Sequence, residues 1–228
     1  MNPVFLGIVV APALWLTTVL AADSVDLTIT ALFDAPACTP ALDHNGEANF
    51  GHIPLSKLNK KESNQLGSQF LTLTISCAEA TPVGWSVTDN KKDSVHALTI
   101  ISPKFIAGDL SDVGYEFGLG KTREGVNLGA YAVYTDLQRV TGDGNPLKVM
   151  YKYPQNSPWY PSGAGEIRND NGYIISGEPL GSSSAVPMSA RVYIWPLKIT
   201  AAIQGTDALN ISDDTPLAGS LTISVVYL

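Results

Sequence analysis

Residues 118–122 read Gly-Leu-Gly-Lys-Thr, the Gly-Lys-Thr ending with which phosphate-binding loops cradle nucleotides. The first glycine of that pattern would fall at position 115, which is Tyr115; Gly114 is one residue too far away. No strand and helix frame the stretch, so a nucleotide site is rejected. Gly142-Asp143-Gly144-Asn145 has the look of a calcium loop, but the acidic ligands that should follow are missing, and a tight turn is the better reading. His44, His52 and His96 fit no zinc or nucleophile signature. Asp213 and Asp214 are adjacent, which on a strand sends their side chains to opposite faces. The expectation is a protein that is not an enzyme and uses no metal or cofactor.

One stretch carries binding chemistry of another kind. Residues 151–161 contain Trp159 and Tyr160 among Tyr, Asn, Gln and Pro, the side chains that stack on sugar rings and hydrogen-bond their hydroxyls. The competing reading, that these aromatics cover one end of a sheet, has the greater weight, because aromatics mostly serve packing.

The two cysteines, Cys38 and Cys77, depend for their chemistry on compartment. The first residues supply it: Pro3 to Ala22 carries no charged side chain and ends on the small residues Ala21 and Ala22. Residues 1–21 read as a secretory signal peptide, with cleavage after Ala21 or Ala22. A retained anchor is the alternative, since the leader has no Lys or Arg at its start and the run is long enough to span a bilayer; Pro12 interrupts it and no basic cluster follows. Export to an oxidising compartment makes a Cys38–Cys77 disulfide the expected state, against reduced thiols or a metal site. The net charge of -7, with no clustered Lys or Arg, excludes nucleic acid as a partner.

The elements that must position these residues are strands. Charged residues make up only 15% of the sequence, and β-branched residues, Gly and Pro are abundant. Val25, Leu27, Ile29 and Ala31 alternate with polar residues, as do Leu71, Leu73 and Ile75, which run into Cys77. Further strands are expected at 83–88, 97–102, 129–135, 147–153 and 190–202, with turns at 89–90, 142–145, 169–172 and 181–184. The chain ends on an alternating strand in which Leu221, Ile223, Val225 and Tyr227 share a face. This spacing suits an all-β sandwich, with residues 22–228 as one domain enlarged at about 140–190.

Several of these stretches occur in a recognisable order: Ala-Cys-Thr-Pro at 37–40, Ala-Asn-Phe-Gly-His-Ile at 48–53, Leu66-Gly67, and Phe70 to Cys77. Together they resemble the first half of subunits of bacterial chaperone-usher fimbriae. Phe-Gly-Leu-Gly at 117–120 and Pro-Leu-x-Gly-Ser at 216–220 resemble a fimbrial-like Gram-negative branch classed as a domain of unknown function. The resemblance implies an immunoglobulin-like, pilin-type β-sandwich that lacks its last strand and is completed by a donor strand. It implies a structural subunit of a surface fimbria, handled by a periplasmic chaperone and an outer-membrane usher and joined to other subunits by strand addition. Leu221, Ile223, Val225 and Tyr227 would then form the subunit and chaperone contact, and Val25, Leu27 and Ile29 the donor strand. Only about fifteen residues separate the leader from Cys38, at roughly 3.3 Å per strand residue. Residues 25–31 could therefore be the first strand itself, which would leave a subunit that accepts a strand without giving one. The alternative function is a single-domain adhesin or secreted carbohydrate-binding module, with a host glycan at Trp159 and Tyr160.

Overall fold

In a computed structural model, residues 37–211 and 215–228 are described. The leader and the alternating Val25, Leu27 and Ile29 lie outside the described residues. The Ala-Cys-Thr-Pro opening forms a short strand, β1 (Cys38–Leu42), and the alternation that leads to Cys77 runs on past it as β2 (Asn64–Asp89). Next come β3 (Phe117–Gly118), β4 (Gly129–Thr135), β5 (Thr141–Gly142), β6 (Asn145–Lys152) and β7 (Tyr160–Pro161). β8 (Ile174–Pro179), β9 (Ser189–Ile203), a short helix α1 (Thr206–Leu209) and β10 (Leu221–Tyr227) complete the order. The protein is all-β and sandwich-like, as expected.

The architecture follows from β2, whose 26 residues serve both layers. Its first part pairs with β1 on one side and β9 on the other; its last part pairs with β10 and, at Trp85, with β8. One layer is β1-β2-β9-β4-β3 and the other β10-β2-β8-β6-β7, all antiparallel. The change of layer is visible in the register. Ser76 faces Val192 and Thr81 faces Ala190, so four intervening residues of β2 face a single residue of β9. The Tyr193 hydroxyl fixes this corner: it accepts the Ala190 N–H at 2.9 Å and donates to the Thr81 carbonyl at 2.7 Å.

Parity survives the bend. Leu71, Leu73, Ile75 and Cys77, then Val83, Trp85 and Val87, all enter one core with Tyr131, Val133, Trp195 and Leu197 from the other strands. Trp85 and Trp195 meet edge to face at its centre, ring centroids 5.6 Å apart. The Cys38–Cys77 disulfide forms, and it pins β1 at the point where β2 leaves β9, in the middle of β2 and not at a strand end.

The strand expected at 97–102 does not form. Ile100 makes an isolated bridge with Leu110, and residues 92–116 lie across the outer face of β4 and β9 as an irregular cover. Small side chains there, Ala130, Ala132 and Ala202, leave room for a second hydrophobic cluster with Ile100, Leu110 and Tyr134. β4 is therefore buried on both faces. The segment at 142–145 is the tight turn of the β5–β6 hairpin, with positive φ at Asp143 and Gly144. Its Asp143 carboxylate is occupied by the N–H groups of Arg191 at 3.0 Å and Val192 at 2.8 Å.

Replacing both Cys38 and Cys77 by Ala is expected to lower unfolding stability by about 2–4 kcal/mol, as the closed loop is released in the unfolded chain. Urea unfolding of oxidised and variant protein, compared at equal m-value, measures it.

Candidate functional site

β1 and β10 lie end to end along the same edge of β2 and diverge as β2 bends from one layer to the other. Their apex is tied: the Cys38 N–H donates to the Tyr227 hydroxyl at 2.9 Å, and the Leu228 N–H to the Pro82 carbonyl at 3.2 Å. Away from the apex they part, and a cleft of about 370 Å³ opens between them. Its floor is the main core itself, with Leu71, Trp85, Tyr131, Val133, Leu197 and Ile199. Leu42 and Phe50 stand on one wall, Leu217, Leu221 and Ile223 on the other. A second cleft of about 670 Å³ shares Glu47, Ala48, Phe50 and Leu217 with the first and continues the trench beneath residues 47–58.

The rims of this trench are backbone. Among the described residues, β1 and β10 each pair only with β2, so each leaves one ladder edge open. Residues 48–53 make no backbone–backbone hydrogen bond among the described residues; the Gly51 N–H turns inward to the Asn49 side chain at 2.7 Å. Open strand edges beside exposed apolar side chains are the two properties that make a sheet adhesive.

The glycine-rich motifs belong to the same site. Residues 117–120 form the shelf on which residues 216–220 rest, through the Ala218 N–H and the Leu119 carbonyl at 2.9 Å. Gly118 is required by space, since a Cβ there would lie 2.0 Å from the Lys91 carbonyl oxygen. Gly120 adopts a φ of +90°, which favours glycine. The shelf is held from below by Asp89, whose carboxylate accepts the N–H of Gly118 at 2.9 Å and of Lys91 at 2.8 Å. Burial raises the Asp89 pKa, and those two N–H groups offset the rise in part. The resemblance to a phosphate loop is thus a packing device, and Lys121 is engaged with Asp93 at 3.0 Å.

The four residues expected on the C-terminal strand divide. Leu221 and Ile223 line the cleft, Val225 packs on the core nearer the apex, and Tyr227 is half exposed with its hydroxyl on Cys38. Periodicity put Tyr227 on the same face but gave no sign of its partner 189 residues away. The opposite wall, Leu42 and Phe50, was marked only by the Ala-Cys-Thr-Pro and Ala-Asn-Phe-Gly stretches. The alternative in which residues 25–31 are themselves the first strand lies outside the described residues, which begin at residue 37.

Trp159 and Tyr160 are remote from the trench in the pairing order, at the β7 edge of the layer whose opposite edge is β10. The Lys152 ammonium sits over the Trp159 ring at 4.9 Å, and Trp159 is half-buried. Tyr160 is exposed and leans on Tyr151, which stacks on Tyr173 at 4.9 Å. The Arg168 guanidinium continues this array between the rings of Tyr153 and Tyr115, at 4.4 and 5.0 Å. Among the described residues no group of three or more His, Cys, Asp or Glu is placed to hold a metal ion.

No solved structure matches the chain. Two relatives from Escherichia coli (strain K12) resemble it over most of its length. The uncharacterized protein YhcF is 27% identical, with 91% of this chain and 92% of YhcF covered. Protein GltF is 27% identical, with 92% of this chain and 91% of GltF covered. The family described as "Protein of unknown function (DUF1120)" matches residues 27–132, a span that takes in β1, β2, one wall of the trench and the glycine shelf of its floor.

Proposed function

We propose that the trench between β1 and β10 accepts an extended segment of another polypeptide, and that the protein is a structural subunit of a surface fimbria assembled by donor-strand complementation. The single observation that carries this reading is the coincidence of two open strand edges with a floor made from the main core. A strand entering there would pair with β10 along one edge and the β1 side along the other, and its alternate side chains would rest on Trp85, Tyr131 and Leu197. The immunoglobulin-like, pilin-type description of the sandwich belongs to the same reading, with the trench in the place of the absent strand. A periplasmic chaperone would fill the trench first, and a neighbouring subunit would replace it at the usher, on the way to the cell surface. Val25, Leu27 and Ile29 would supply an alternating apolar segment of the kind such a trench takes.

Co-expression with a matched periplasmic chaperone is expected to yield a one-to-one complex. In vitro, a peptide of residues 23–36 is expected to shift the emission of Trp85 saturably. Phe50→Asp and Ile223→Asp, on opposite walls, should each weaken binding by about tenfold or more, the effect of a charge facing an apolar strand. A folded monomer that captures neither chaperone nor peptide would overturn the reading.

A second reading, a carbohydrate-binding adhesin, is favoured by the exposed Tyr153 and Tyr160 beside Trp159. Glycan-array binding that disappears in both Trp159→Ala and Tyr160→Ala would support it; binding unchanged in both would remove this face from consideration.

A further inference from the structure

Glu116 lies between the turn at Val113–Tyr115 and β3, outside the trench. Its side chain is fully buried, and neither carboxylate oxygen accepts a hydrogen bond of good geometry. The next residue, Phe117, points into the main core, so the alternation of an extended chain turns Glu116 toward the opposite side, beneath the cover of residues 92–116. An ionised carboxylate buried from bulk solvent without well-aligned donors is among the costliest groups to bury, whereas a neutral carboxyl costs much less.

The cover is held by polar ties along its length and not by a continuous ladder. Gln65 bridges the Thr99 carbonyl at 2.9 Å and the Ile101 N–H at 3.0 Å. Lys198 donates to the carbonyls of Ser102 and Lys104, at 2.8 and 3.0 Å. The Asn169 amide donates to the carbonyls of Val113 and Glu116, at 2.8 and 2.7 Å. A segment fastened in this way can lift locally while the sandwich stays folded.

We propose that Glu116 is a proton-operated latch for this cover: protonated, it packs as a neutral side chain against β4 and β9, and ionised, it drives residues 96–115 outward from the second hydrophobic cluster. Burial raises its pKa, the Leu98 backbone N–H opposes that rise, and the negative charge of Asp112 adds to it. The cations on the surrounding elements are engaged elsewhere: Lys198 on the cover's carbonyls, Arg168 on Asp170 and two tyrosine rings, Lys121 on Asp93. Further titratable groups of the packed elements are Lys92, His96, Lys104, Asp109 and Tyr115 on the cover, Tyr131 and Tyr134 on β4, Arg191 and Tyr193 on β9, and Glu166 bridged to Tyr134. The sign follows from the raised pKa. The closed form binds the proton more tightly than the open form, so closure is favoured below the ordinary glutamate range and weakens as pH rises from there to the raised pKa.

Hydrogen exchange of the full chain, corrected for intrinsic rates and followed from about pH 4 to about pH 8, should show protection of residues 96–115 falling by about tenfold per unit of raised pKa. Amides of β8 serve as the internal reference and should hold. Glu116→Gln should flatten the dependence, and Asp112→Asn should move its levelling-off to lower pH. Protection of 96–115 that ignores pH in the native protein, or that falls equally in Glu116→Gln, overturns the latch. Should Glu116→Gln fail to fold, an Asp112→Asn profile superimposed on that of the native protein overturns it as well.

Discussion

A strand that belongs to two sheets must bend, and whatever pairs along its edge must divide. β2 imposes this constraint on the whole molecule. On one side β9 and β8 take up its two halves; on the other, β1 and β10 share the edge and separate at the corner between Cys77 and Val83. Three fastenings gather at that corner: the disulfide, the Tyr193 hydroxyl on Thr81 and the Tyr227 hydroxyl on Cys38. Away from it, the outer edges of β1 and β10 are unpaired among the described residues. The trench is therefore a geometric result of the bend, and its apolar floor is the core that the bend brings together.

The polar residues of the trench region serve this geometry. Asp89 stands opposite Leu221 in the β2–β10 register and holds Gly118 with its carboxylate, so the first residue of the last strand and the floor shelf share one anchor. Gly219 sits against the Tyr131 ring, where a Cβ would come within 2.9 Å, and this close approach carries the chain from the shelf into β10. Gly120 on the shelf and Gly219 above it let the two segments lie in contact, joined by the Ala218–Leu119 hydrogen bond and not by a ladder.

Runs of β-branched and aromatic residues between turn clusters made β4, β6 and β9 legible, and alternation made β10 so, all with ends within two residues; this pattern reads strands that put a face on the main core. It split β2 in two, since residues 78–82 contain Glu79, Thr81 and Pro82 and break the pattern while the chain stays extended. It failed at 97–102, whose apolar residues pack on the face of a sheet and not along its edge. β8 has no such signal: Ile174-Ile175-Ser176-Gly177-Glu178 holds only two β-branched residues, followed by Ser, Gly and a buried Glu. Of the trench, the C-terminal wall was readable from Leu221 and Ile223. The other wall has no periodicity to read, and Glu116 looks in sequence like any surface carboxylate.

The tie between Cys38 and Tyr227 joins residues 189 positions apart, nearly the first and the last of the described chain. Contacts of such separation form late, because the loop they close is the whole domain. β1 and β2 precede β10 in the chain, so the edge of β2 from Val83 to Asp89 stays unpaired until β10 takes its place. Loss of residues 221–227 would then do more than remove a strand: it would leave that edge open beside the core it borders.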